Sequence, residues 1–276
     1  MSTAVADLHF YNFYSESTQS DVEFAVLAPT ALSAAQPLPL IMHLHGAMSS
    51  AKSLEMARGA YENGWAAGDL PLSIVACAST PTLNGFYIDH PGGAGWETLV
   101  AQELPTYLAT IYPLSGLTAA LGFSMGGYGA LKMTLRRPNA FCAVSALCPT
   151  IFPAERAVDV PERNRQSVLT DLNEAMENAG YEVNSVPHLL RREAEALKTA
   201  GTNLFIECGE ADEFRLHDGA VYLDRLMNEL GVSHVFRSVS EAGHATHMDD
   251  RQRAAVSFIG AALREREPLA PPGYVI

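Results

Sequence analysis

The sequence predicts an α/β protein, with a mostly parallel central sheet, helices on both faces and an antiparallel hairpin at the N-terminus. Three observations carry this. Short apolar runs of strand length alternate with helical stretches along most of the chain, as a parallel sheet with crossover helices requires. The first two strand-like runs are joined by a short polar turn, which marks a hairpin. The chain has 276 residues, 48% of them apolar, which is enough to bury a large core. One domain is expected over residues 1–276.

The elements follow in order. Leu8–Tyr14 and Val22–Ala28 form the hairpin around the turn S-E-S-T-Q-S-D. Leu38–Leu44 is an apolar strand, Ala51–Asn63 a helix ending at Gly64, and Leu72–Ala78 another strand. Trp96, Leu99, Val100, Leu104, Tyr107, Leu108 and Ile111 share a helical face, with Pro105 expected to kink or restart it. Thr118–Phe123 is a strand, Gly126–Arg137 a helix stopped by Pro138, and Ala143–Cys148 a strand. Residues 150–200 break the pattern with three prolines, many charges and two helix-like stretches. They read as an insertion at one end of the sheet, a cap over the site. Alternation resumes with strand Asn203–Cys208, helix Leu216–Leu230, strand His234–Val239 and helix Asp249–Glu265, before an irregular tail.

Lys and Arg number 18 against 31 Asp and Glu, a net charge of −13. That balance argues against a nucleic-acid or anionic-membrane partner. The N-terminus lacks a basic segment followed by an apolar one, and no apolar run is long enough to span a bilayer. A cytoplasmic location is expected. Cys77, Cys142, Cys148 and Cys208 show no C-x-x-C spacing and read as reduced thiols.

The chemistry is announced by Gly122-Phe123-Ser124-Met125-Gly126, which fits G-x-S-x-G. In a nucleophile elbow the serine sits on a strained strand-to-helix turn, and side chains two before and two after it would collide. Strand, serine and helix occur here in that order. A serine hydroxyl needs a base to take its proton, and the base needs an orienting acid later in the chain. Asp212, just past strand Asn203–Cys208, supplies the acid, with Glu210 and Glu213 as neighbouring rivals. His244, after Gly243, is the base; His247 stands nearer the last helix, for which Asp249 is expected as N-cap. Two backbone N–H groups should hold the oxyanion: Met125, following the serine, and Ala47, following His45-Gly46.

His43-x-His45 also fits two metal ligands on one strand face. The chain continues G-A-M-S-S without further ligands, so the pair reads as a loop anchor. No phosphate-binding G-x-x-x-x-G-K-[ST] occurs. Neither a metal nor a cofactor is expected. Phe86, Tyr87 and Trp96 are candidate pocket residues, and Arg156, Arg163 and Arg165 read as solvated surface.

Together these residues resemble the esterase D / feruloyl esterase / mycolyltransferase-like branch of the α/β-hydrolase fold. The likeness rests on W-E-T-L-V-A-Q-E-L-P (Trp96–Pro105), G-F-S-M-G-G-Y-G-A-L-K (Gly122–Lys132), R-P-N-A-F (Arg137–Phe141), C-G-E-A-D-E-F and A-G-H. It implies a triad of Ser124, Asp212 and His244, with Ala47 and Met125 as the oxyanion hole. Two features depart from relatives. H-G-A-M-S stands where S-formylglutathione hydrolases carry an S-G-L-T-C-like run, although Gly85–Asp89 looks like their corresponding segment. The export signal of secreted feruloyl esterases and mycolyltransferases is not seen. The expected activity is hydrolysis of a small or medium acyl or aryl ester through an acyl-enzyme. The alternatives are an acyltransferase or thioesterase using the same triad, S-formylglutathione hydrolase-like activity included, or a catalytically silent binding protein. Oligomeric state is not encoded legibly.

Overall fold

The computed structural model describes residues 6–30, 36–83, 85–165 and 168–266. The expected irregular tail and the first five residues lie outside them. Among the described residues, eight strands form one sheet in the order β1-β2-β4-β3-β5-β6-β7-β8. They are β1 (Ala6–Ser15), β2 (Ser20–Pro29), β3 (Leu38–Leu44), β4 (Ile74–Ala78), β5 (Leu114–Phe123), β6 (Ala143–Leu147), β7 (Asn203–Gly209) and β8 (Val235–Val239). The β1–β2 hairpin is antiparallel with Ser15 opposite Ser20, and β2 joins β4 antiparallel. Every other pairing is parallel. This is the expected α/β-hydrolase architecture.

The strand order positions the site. From β3 the chain moves to β4 on one side, then crosses to β5 on the other and continues outward. Between β3 and β5 the winding therefore reverses, and parallel sheets bind ligands outside the carboxyl ends at such a point. The β3 end leads into His45-Gly46-Ala47 and the β5 end into Ser124.

Helices cover both faces. On one, α1 (Ser53–Ala67) and the C-terminal helix pack together over Ile41, Val75, Leu121 and Phe205. The first of these helices overruns its expected stop at Gly64. A side chain there would meet Val256 Cγ1 at 2.9 Å, so the glycine permits close helix packing; the true stop is Gly68, left-handed at φ 76°. Next come α2 (Trp96–Thr98), a π-helical turn over Leu99–Glu103 and α3 (Leu104–Leu108). The π-turn directly precedes Pro105, which cannot donate to the helix ladder, so the expected kink takes the form of a local widening.

The opposite face carries α4 (Met125–Arg136), α5 (Val168–Ala179), α6 (Tyr181–Asn184), α7 (Val186–Ala200) and α8 (Leu216–Leu230); α9 (Met248–Arg266) is the C-terminal helix. The 150–200 segment divides. Its last helix, α7, packs between α4 and α8 as part of the layer, whereas its first part is loops, short 3-10 turns and two helices. Arg156 pairs with Asp159 and Arg163 with Asp218 on the surface. No helix among the described residues is long and apolar enough to cross a membrane.

A buried ionic cluster ties the Trp96 segment to α4. Glu97 is fully buried, with Lys132 Nζ at 2.9 Å, Arg136 Nε at 3.3 Å and Arg137 also in contact. Lys132, itself buried, donates to Asn184 Oδ1 at 3.1 Å. Burial drives the Lys132 ammonium below its usual range, opposed by Glu97. Removing one partner of such a pair strands the other charge, so Glu97→Ala should cost about 3–5 kcal/mol in a urea unfolding curve. A loss under 1 kcal/mol, on the order of a solvent-exposed pair, would show that the cluster does not anchor this helix.

Candidate active site

Ser124 joins β5 to α4 with φ 56° and ψ −116°, a conformation that L-residues adopt only under constraint. The neighbours hold it there. Its N–H donates to Leu147 O at 2.9 Å, and its carbonyl accepts from Tyr128 N and Thr150 N, both at 3.1 Å. A Cβ on Gly122 would lie 2.1 Å from Gly126 O, and one on Gly126 would lie 2.0 Å from Leu44 O. Only hydrogen fits at either place. The buried hydroxyl lies 3.5 Å from Thr150 Oγ1, without a hydrogen bond to His244. Such bonds are often long before substrate binds.

Asp212 and His244 come together from separate strand ends. His244 Nδ1–H donates to Asp212 Oδ2 at 2.7 Å. The other carboxylate oxygen accepts from Phe214 N at 2.9 Å and Leu216 N at 3.3 Å. Burial pushes this carboxyl up, but the hydrogen bonds and charge of His244 and the Leu216 N–H outweigh it, leaving it below the usual carboxylate range. The imidazole lies between the rings of Phe123 at 4.7 Å and Phe214 at 4.8 Å, so it adjoins the residue preceding Ser124. Burial opposes its protonation, yet Asp212 and the Cys148 sulfur raise it to about 9.

The rivals take supporting parts. Glu213 Oε2 accepts from the His244 backbone N–H at 2.8 Å, and Glu210 accepts from Ser238 Oγ at 2.8 Å. His247 is exposed and left-handed at the foot of α9, where its carbonyl accepts from Arg251 N. Asp249, expected as the cap, lies inside the first turn instead. The two histidines of β3 are anchors. His43 Nδ1 meets Tyr61 OH at 2.9 Å, and burial holds its ring down to about 3, assisted by His45. His45 Nε2 accepts from Thr80 N at 2.9 Å, so its Nδ1–H donates to Gly46 O at 2.7 Å and pins the turn before Ala47. Gly46 lies against Ser124, since a Cβ there would stand 3.5 Å from Ser124 Cβ. Met125, the first residue of α4, stands at the positive end of that helix.

Two pocket expectations need correction. Phe86 and Tyr87 are core residues, each essentially inaccessible and left-handed at φ 50° and 52°. Tyr87 fills the space left by Gly129 and donates its hydroxyl to His45 O at 3.0 Å, bracing the β3 end from below. Trp96 is half-buried and packs against the same core. A cleft of about 380 Å³ opens at the Gly46-Ala47 turn and Phe123, lined by His43, Gly46, Ala47, Phe123, Ala245 and Met248 among others, with Ser124 and His244 outside its lining.

Residues 15–184 match the family described as Putative esterase. The chain belongs to this family. With it comes ester hydrolysis. Among solved structures the chain is similar to a ferulic acid esterase, at 21% identity and TM-score 0.77 over 93% of this chain and 98% of that one. It is also similar to an S-formylglutathione hydrolase from Agrobacterium tumefaciens (19%, TM-score 0.72, covering 94% and 98%). A third is the fluorophosphonate-binding serine hydrolase FphF of Staphylococcus aureus (20%, TM-score 0.70, covering 92% and 98%). At these identities the likeness establishes a shared fold.

Sequence reasoning missed Arg251. It is buried at the start of α9, pairs with the buried Glu207 of β7, and donates to His244 O at 3.0 Å and Gly243 O at 3.3 Å. An arginine three residues into a helix carries no pattern that announces this. For the elbow, Gly126→Ala should destabilise the fold by roughly 1–3 kcal/mol through overpacking against the β3 backbone, read from a urea midpoint. An unchanged midpoint would show that the close approach at Leu44 is not enforced.

Proposed function

We propose that this esterase hydrolyses small or medium acyl or aryl esters with Ser124 as nucleophile, His244 as base and Asp212 as orienting acid. The observation that carries the reading is the 2.7 Å bond from His244 Nδ1 to Asp212. It leaves Nε2 as the acceptor for the serine proton, in the order serine, acid, histidine that this fold uses.

Ser124 Oγ attacks the acyl carbon and passes its proton to His244 Nε2. Charge gathers on the former carbonyl oxygen, where the N–H groups of Ala47 and Met125 receive it. Preorganised donors of this kind contribute about 3–4 kcal/mol each to lowering the barrier. The imidazolium then gives its proton to the leaving alcohol. Water, activated by the same histidine, releases the acid from the acyl-enzyme. No step calls on a metal or cofactor. The cleft of about 380 Å³ at Ala47 and Phe123 is the space we assign to a substrate group of modest size. The first part of the 150–200 segment, ahead of α7, is the portion we assign as a cap; Thr150, at its root, touches Ser124 through both backbone and hydroxyl.

Two outcomes follow. Ser124→Ala should lower p-nitrophenyl acetate and butyrate turnover by at least a thousandfold while leaving the unfolding curve near wild type; retained turnover would refute the mechanism. The base must be neutral to act, and His244 sits above the usual 6.5, at about 9. The acid limb of kcat/KM should therefore rise with pH through that upper range. A limb centred at or below 6.5 would show that Asp212 and Cys148 do not raise the imidazole.

A further inference from the structure

Beneath the His244–Asp212 pair lies a second cluster that the hydrolytic steps do not use. Cys148 directly follows β6, left-handed at φ 41°, and Cys208 lies on β7. Leu147 pairs with Glu207 across these parallel strands, so the next residues, Cys148 and Cys208, stand side by side, and Cys148 N donates to Glu207 O at 2.6 Å. The two sulfurs and an Asp212 carboxylate oxygen lie within 4.8 Å of one another. Both thiols are free.

Their surroundings differ. Arg251 directs a guanidinium N–H at Cys148 Sγ from 2.7 Å, and Cys148 Sγ also reaches His244 O at 3.6 Å. Cys208 Sγ instead faces Asp212 Oδ2 at 3.8 Å. Hydrogen bonding from Cys208, followed by His244 and the Arg251 charge, draws Cys148 below its usual range against its burial. Cys208 is pushed up, chiefly by the adjacent Cys148 sulfur. One sulfur thus faces a guanidinium, which favours its thiolate, and the other faces a carboxylate, which favours its thiol, the division of roles between a peroxide-reactive cysteine and its resolving partner. The guanidinium beside Cys148 disfavours a metal cation among the same three ligands.

We propose that Cys148 and Cys208 form an oxidative modification site, where hydrogen peroxide closes a disulfide that disables the neighbouring Asp212–His244 pair. The Cys148 thiolate attacks one peroxide oxygen. The S–O bond forms, the O–O bond breaks and hydroxide leaves, with sulfur oxidised by two electrons and peroxide reduced by two. The neutral sulfenic acid no longer holds Cys208 protonated. The Cys208 sulfur then attacks the Cys148 sulfur, the S–S bond forms, and the S–OH oxygen departs as water with the Cys208 proton. In the product, Arg251 has lost its thiolate partner, and the sulfurs have withdrawn from Asp212 and His244. Both sulfurs are fully covered, so a small oxidant reaches them only through breathing of the fold. Peroxide should therefore enter where bulky alkylating reagents do not.

Loss of turnover rests on the triad reading; formation of the bond does not, and mass spectrometry separates the two. Wild-type protein treated with hydrogen peroxide should lose two hydrogens in intact mass and yield a peptide linking Cys148 to Cys208. Turnover of p-nitrophenyl acetate should fall at least fivefold, and dithiothreitol should restore both mass and rate. Cys208→Ser should leave a sulfenic acid on Cys148, trapped by dimedone once the oxidised protein is unfolded, and residual turnover of Cys148→Ser should resist peroxide. Absence of the linked peptide from wild-type protein would overturn the proposal without recourse to any variant. A linked peptide with unchanged turnover would overturn its inhibitory part.

Discussion

The site depends on one backbone constraint, the left-handed turn at Ser124. A serine at φ 56° stores about 1–3 kcal/mol of strain, and nothing within the residue offsets it. The surrounding sheet does. Leu147 takes the Ser124 N–H, while Tyr128 and Thr150 both donate to its carbonyl. Gly122 and Gly126 let the strand end, the helix start and the β3 backbone approach within distances that no side chain permits. The constraint thus links three parallel strands to one residue and aims its hydroxyl out of the sheet end.

The other groups reach that hydroxyl through sheet topology. Reversal of the winding between β3 and β5 places the Gly46-Ala47 turn beside the elbow. Outward continuation through β6, β7 and β8 carries the acid and the histidine to the same end. Two buried charge clusters hold this arrangement. Glu97 with Lys132, Arg136 and Arg137 fixes the back of α4, while Glu207 and Arg251 clamp the loop carrying His244 to the strand that precedes Asp212. The first binds helix to helix and the second a helix to a functional strand, and losing either partner would strand a charge in the interior.

Much of this was legible in the sequence because it is local. Strand and helix periodicity gave the alternation, two glycines bracketed the serine, and one acid and one histidine followed late strands. Motif order left Glu210, Asp212 and Glu213 open alike, and the likeness of C-G-E-A-D-E-F to the family pointed to Asp212. The roles of the rejected residues were not legible, since Glu213 acts on the His244 backbone across 31 residues. Phe86 and Tyr87 misled because aromatic residues near a glycine loop resemble pocket walls, while their left-handed backbones turn them into the core. Asp249 looked like a cap because helix starts are uncertain by a residue or two. Arg251 and Lys132 are charges on apolar helices, and burial of a charge depends on a partner 44 or 35 residues away that no periodicity reveals.

The central claim is that a single serine, made nucleophilic by His244, carries the chemistry. Mapping the covalent adduct formed with a fluorophosphonate tests it most directly. The account predicts one adduct per chain, on Ser124, formed rapidly in wild-type protein and far more slowly in His244→Ala. An adduct on another residue, or labelling of Ser124 at the same rate without the histidine, would contradict it.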